Sequence, residues 1–149
     1  MIRVTKIFNF EMAHALWNYN GPCKNIHGHS YKLLVTVSGI PETDKENIKY
    51  GMVIDFGDLK RIVQENIIER FDHSVVVSKN APHKFMQNID QMFDKYEISE
   101  YQPTCENMVA HFAGIISDKL PVNVSLHNLR LFETENSYAD WFASDNKKQ

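Results

Sequence analysis

Apolar and polar positions alternate with a period of two along residues 2–14. Phe8, Phe10, Met12 and His14 fall on one side, and Thr5, Asn9 and Glu11 mostly on the other. That period marks a half-buried strand. Gly21-Pro22 breaks the chain. From about His29 to Ser38, Tyr31, Leu33, Val35 and Val37 alternate with Ser30, Lys32, Thr36 and Ser38. This predicts a second strand, ended by Gly39-Ile40-Pro41. A polar loop over 41–49 and a short apolar run over 51–56 follow.

The period then lengthens. Leu59, Val63, Ile67 and Phe71, with Ile62 beside them, make the buried stripe of a helix with Asp58 as N-cap. Within the segment 79–102, residues 85–96 read as a helix with a weak stripe. After Pro103 a clearer helix begins, with Thr104 as N-cap and Glu106 favourable in the first turn. Met108, Val109, Phe112, Ile116 and Leu120 are its stripe, and Pro121 stops it. Residues 122–133 read as a strand, 134–136 as a turn, 137–143 as a last strand and 145–149 as a frayed polar tail. The order β-β-α-(α)-α-β-β predicts one α+β domain over 1–149, with a largely antiparallel four-stranded sheet and helices on one face. Such a sheet leaves two edges and a face uncovered, which points to a homo-oligomer.

Composition adds exclusions. The 149 residues carry a formal net charge of −3 and no long basic run, so neither nucleic acid nor an anionic membrane is an expected partner. No apolar stretch reaches the length of a membrane span, and the N-terminus lacks a signal-like apolar core. Two cysteines, Cys23 and Cys105, make no disulfide framework. The expectation is a cytoplasmic protein with free thiols.

The candidate chemistry lies in the histidines. His27 and His29 flank Gly28 where the second strand begins, and residues i and i+2 of a strand point to one side. Gly28 between them would let the backbone bend or another group approach. If the first two strands pair as a hairpin, His14 meets that end. Three imidazoles with an open fourth position describe a catalytic zinc site. His83, His111 and His127 have no such setting and read as ordinary structural histidines. Cys23, four residues before His27, is either a fourth ligand or a reactive thiol, and two ligands on strands at a sheet mouth favour the thiol.

The motifs FNFEMAHAL, CKNIHGHSY, VIDFGDLK, FDHSVV, PTCEN and FETENSYADW, in this order across residues 7–142, resemble the 6-pyruvoyl-tetrahydropterin synthase and 6-carboxytetrahydropterin synthase superfamily. The resemblance implies a tunnelling fold whose subunits join sheets into a barrel. A trimer-based hexamer is the favoured assembly, with a tetramer as the alternative. It implies zinc on His14, His27 and His29, and a pterin triphosphate substrate, 7,8-dihydroneopterin triphosphate. By position, Cys23 matches the catalytic cysteine, Asp72 and His73 the proton-relaying pair, and Glu133 the glutamate that anchors the pterin. Thr104 and Glu106 match a segment near the pterin. The Cys23–His27 spacing is similar to that of the carboxy-type enzymes of queuosine biosynthesis. Pyruvoyl-type activity is the alternative, and a non-catalytic zinc-binding assembly module is the reading of another class. Without the resemblance, Asp72-His73 would read as a helix cap with a solvated histidine, and Glu133 as a surface carboxylate.

Overall fold

The structure, a computed structural model, describes residues 1–146; the last three positions of the expected polar tail lie outside the described residues. Strands β1 (Ile2–His14) and β2 (His27–Gly39) form an antiparallel hairpin joined by a loop with one 3-10 turn at Pro22–Lys24. Three helical pieces follow without a break: α1 (Phe56–Val63), a π-helical stretch (Gln64–Ile68) and α2 (Glu69–Phe71). Next come β3 (Ser74–Ser78), two short helices α3 (His83–Met86) and α4 (Ile89–Met92), and β4 (Tyr96–Ser99). Helix α5 (Cys105–Ser117) and strands β5 (Val124–Thr134) and β6 (Ser137–Phe142) end the fold.

The fold is α+β as expected, but the sheet has six strands in the order β4-β3-β1-β2-β5-β6. The two unexpected strands, β3 and β4, run parallel to their neighbours. Val76 and Val77 are both buried, so β3 carries no period of two to announce it. The helix expected over 85–96 is instead α3, α4 and the start of β4, in keeping with its weak stripe. Strand β5 starts two residues later than expected, because Val122 is fully exposed.

One face of the sheet is covered. Leu59, Val63 and Ile67 from the first helical run, and Met108, Val109, Phe112 and Ile116 from α5, pack on Phe8, Phe10, Tyr31, Leu33, Leu129 and Leu131. Phe10 stacks on Tyr31 at 5.3 Å, and Phe112 meets Phe71 edge-on at 4.8 Å. Such aromatic pairs add to their area burial. The other face and the outer edge of β1 before Met12 are uncovered in the single chain.

The cap of α1 is Asp55, not Asp58. The Asp55 carboxylate accepts the Gly57 N–H at 2.6 Å. Asp58 lies in the first turn and pairs with Lys49 and Arg61. Both aspartates precede the apolar stripe, and only the backbone turn at Asp55 decides between them. Thr104 does cap α5, accepting from the Asn107 N–H at 3.3 Å. Asp55→Ala should therefore destabilise the protein by about 1 kcal/mol, and Asp58→Ala by clearly less, in urea unfolding; the reverse order would move the cap to Asp58.

Candidate active site

The site grows out of the β1–β2 register. Phe10 stands opposite Tyr31, Met12 opposite His29, and His14 opposite His27. Residues directly opposed across a ladder share a face. The buried stripe of β1 thus runs on into His14, and that of β2 runs back into His29 and His27. Strand β2 begins at His27, two residues earlier than expected, so both histidines are strand residues. His14 is only 1% exposed. A Cβ on Gly28 would meet the Met12 carbonyl at 3.4 Å, an ordinary contact, so no close approach demands glycine there.

Glu133 reaches the same place by a different device. Strand β5 buries Val124 and Leu126, then switches parity and buries Leu129 and Leu131. An irregularity opposite Thr36/Val37 takes up the extra residue, His127. A bulge shifts every later side chain to the other face, and Glu133 follows Leu129 and Leu131 onto the histidine side. A second register shift, between Phe132 and Thr134, leaves Glu133 out of the β6 ladder.

The polar atoms here are short of protons. His14 Nδ1 lies 2.7 Å from the Pro103 carbonyl, and His27 Nδ1 2.8 Å from the Asn25 carbonyl. Carbonyls only accept, so the hydrogen-bond network assigns both Nδ1 atoms as donors. The neutral rings then turn bare Nε2 lone pairs toward each other at 3.1 Å. Glu133 Oε1 adds a carboxylate 3.4 Å from His14 Nε2 and 3.8 Å from His29 Nε2. His29 Nε2 is buried without a hydrogen-bond partner. Burial holds both His14 and His29 below the ordinary imidazole value; the Pro103 carbonyl (for His14) and the Glu133 charge (for both) oppose it only in part.

Converging lone pairs repel, and a cation relieves them. One ring nitrogen from each of His14, His27 and His29 lies within 4.8 Å of the others, and the three could hold a metal ion. Neutral imidazole is the ligand form. A second ring nitrogen donating to a backbone carbonyl is the usual support for a metal-bound histidine. Two nitrogens about 2.0–2.1 Å from a tetrahedral metal stand about 3.3 Å apart, close to the 3.1 Å between His14 and His27. The residues fit such an ion. Cys23 and Glu133 are not part of this set.

Beside the histidines opens a cavity of about 280 Å³, lined among others by His14, Cys23, Thr104, Glu106 and Glu133. Half-buried Cys23 sits in the 3-10 turn, where its backbone carbonyl accepts the Leu16 N–H at 2.9 Å. The other thiol differs. Burial pushes Cys105 up to about 12, and its Sγ lies 3.1 Å from the Leu131 carbonyl. Tyr31 is a member of the site that the sequence did not single out. Its hydroxyl donates to Glu133 at 3.5 Å, and burial pushes its pKa far above the ordinary phenol range. Its place on the histidine stripe, two residues after His29, is the signal that could have found it.

Asp72 and His73 do not join this cavity. Asp72 closes α2, and its Oδ1 accepts the Glu11 N–H at 2.8 Å on the outer edge of β1. Burial works to raise the Asp72 carboxyl, but the Glu11 N–H, His73 and Lys95 outweigh it and hold it below the usual range. His73 adopts a left-handed backbone, φ 58°, and its Nδ1 lies 3.0 Å from Asp72 Oδ1. Such a conformation costs roughly 1–3 kcal/mol and persists where surroundings impose it; here the His73 N–H donates to the Glu11 carbonyl at 2.6 Å. His73 lines another cleft, of about 380 Å³, with Glu11, Ala13, Gly28, His29 and Ser30. Of the remaining histidines, His111 packs half-buried on Tyr101 and Phe71, and neither it nor His83 or His127 belongs to the metal-competent set.

The family model described as 6-pyruvoyl tetrahydropterin synthase matches residues 3–143. The chain belongs to that family. It is an enzyme of the tetrahydropterin synthase type. A Haemophilus influenzae relative named 6-carboxy-5,6,7,8-tetrahydropterin synthase is 32% identical, over 95% of this chain and 99% of the relative. One from Pongo abelii named 6-pyruvoyl tetrahydrobiopterin synthase is 29% identical, over 91% and 87%. The fold agrees with solved structures: a Wolinella succinogenes protein (TM-score 0.76, 17% identity, 95% and 98% covered) and the Caenorhabditis elegans 6-pyruvoyl tetrahydropterin synthase (TM-score 0.67, 19% identity, 95% of each).

The lowered His14 and His29 have a consequence for the metal-free protein. Below the ordinary value of 6.5, unfolded imidazoles take up protons that the folded ones resist, so stability falls as pH falls through that value. Thermal melts of metal-stripped protein should show this loss, and a His14→Gln variant should show less of it; an equal slope would remove His14 as its source.

Proposed function

We propose that the chain is a zinc-dependent 6-carboxytetrahydropterin synthase. It would convert 7,8-dihydroneopterin triphosphate to 6-carboxy-5,6,7,8-tetrahydropterin, with release of acetaldehyde and triphosphate, in a cytoplasmic pathway to queuosine. The observation that carries the reading is that Cys23, Glu133 and His14 of the three-histidine cluster line one cavity. The carboxy-type names of relatives such as the one from Haemophilus influenzae, and the Cys23–His27 spacing, favour this branch over pyruvoyl-type elimination.

His14, His27 and His29 would hold the zinc, which supplies Lewis acidity toward the side-chain hydroxyls of the substrate. The Cys23 thiolate takes a proton from that side chain. Glu133 offers two oxygens to the 2-amino group and adjacent N–H of the pterin, a charge-assisted pair of hydrogen bonds. Tyr31 donates to Glu133 from beneath and steadies that carboxylate. Thr104 and Glu106 border the same cavity and contact the bound pterin. Asp72 and His73 serve as the proton relay from a second copy of the chain, since neither lines the Cys23 cavity of its own chain. The assembly is therefore a homo-oligomer in which the open β1 edge and the bare sheet face are covered.

Two variants and one product assay test these roles. Cys23→Ala should keep full zinc content and lose turnover. Glu133→Gln should also keep zinc and raise KM for the dihydropterin. Loss of zinc in either would make that residue a ligand instead. Product mass spectrometry on the wild type should find the 6-carboxy compound and acetaldehyde; a 6-pyruvoyl product would assign the other branch.

A further inference from the structure

Residues 79–102 line neither the cysteine cavity nor the histidine cluster, yet this segment grips the loop that carries Cys23 at two points. The Phe85 ring packs on the Trp17 ring, with centroids 5.5 Å apart. Gln102 Nε2 donates to the Trp17 carbonyl at 2.7 Å. Gln102 is anchored at its other end. Its carbonyl accepts the Thr104 N–H at 2.8 Å and the Asn107 side-chain amide at 2.9 Å. The side chain is thus a strut from the first turn of α5 to the loop. Trp17 adjoins Leu16, whose N–H donates to the Cys23 carbonyl at 2.9 Å. The next residue after Gln102 is Pro103, whose carbonyl orients His14. Two consecutive residues therefore hold the thiol loop and the first histidine in one frame.

We propose that Gln102, backed by Phe85, is a positioning residue for Cys23: by pinning Trp17 it sets the thiol over the cavity beside His14. The loop needs such a support. Asn18, next to Trp17, has a left-handed backbone, φ 64°, and apart from the Leu16–Cys23 bond the described backbone hydrogen bonds within the loop join residues three apart. A thiol on an unsupported loop samples many placements, and small misplacements of a base cost rate steeply.

The kinetic arm of the test rests on Cys23 acting as base; the alkylation arm does not. In zinc-loaded full-length protein, Gln102→Leu removes the donor at similar size, and Phe85→Leu is a gentler second variant. Both should speed alkylation of Cys23 by iodoacetamide, mapped by peptide mass, with zinc content unchanged. Gln102→Leu should lower kcat roughly tenfold or more with KM little changed. Alkylation and kcat at wild-type values in both variants would overturn the proposal. So would loss of zinc in step with kcat, which would place the effect on His14. Faster alkylation in a protein whose wild type consumes no dihydropterin would support the strut and sink the synthase reading alone.

Discussion

Everything at the site depends on the register between β1 and β2. In that pairing the apolar stripe that builds the core does not stop at the core. It continues past Phe10/Tyr31 and Met12 into three imidazoles. A slip of one residue between the two strands would put His14 on the opposite face from His27 and His29, and would bury either Glu11 or Ser30 and Lys32 in place of apolar residues. The register that keeps Phe8, Phe10, Leu33 and Val35 buried therefore also keeps the histidines together. Burial of the apolar face fixes the ligand geometry without a separate device.

The price of that arrangement is electrostatic. Two backbone carbonyls claim the Nδ1 protons of His14 and His27, and Glu133 adds negative charge beside bare nitrogens. Burial denies His14 the proton that would relieve it. A metal ion held there would turn this liability into a set of bonds. The metal-free site is strained for the same reason that it is prepared.

Much of this was legible in the sequence where a period carried it. Strands β1 and β2 follow from alternation, α5 from a stripe with a clear cap, and His-x-His from the strand period itself. A cap is harder to place than a stripe: the period points to Asp58, but the backbone turns at Asp55, which takes the role. Strands β3 and β4 are short, and β3 is buried on consecutive residues, so alternation is missing. The switch from Val124/Leu126 to Leu129/Leu131 is written in β5, but only the paired strand shows that it is a bulge, and so why Glu133 faces the histidines. The roles of Asp72, His73, Thr104 and Glu106 came from resemblance rather than from any period. Thr104 and Glu106 do reach the cysteine cavity. Asp72 and His73 sit on the far side of β1, because β3 joins the sheet there through an unannounced parallel pairing.

If strand register builds the metal site, His14, His27 and His29 alone should hold the ion. Elemental analysis of purified protein and of folded His29→Ala tests it most directly. One zinc per chain in the wild type and none in the variant is the predicted result. Full zinc occupancy in the folded variant would contradict it.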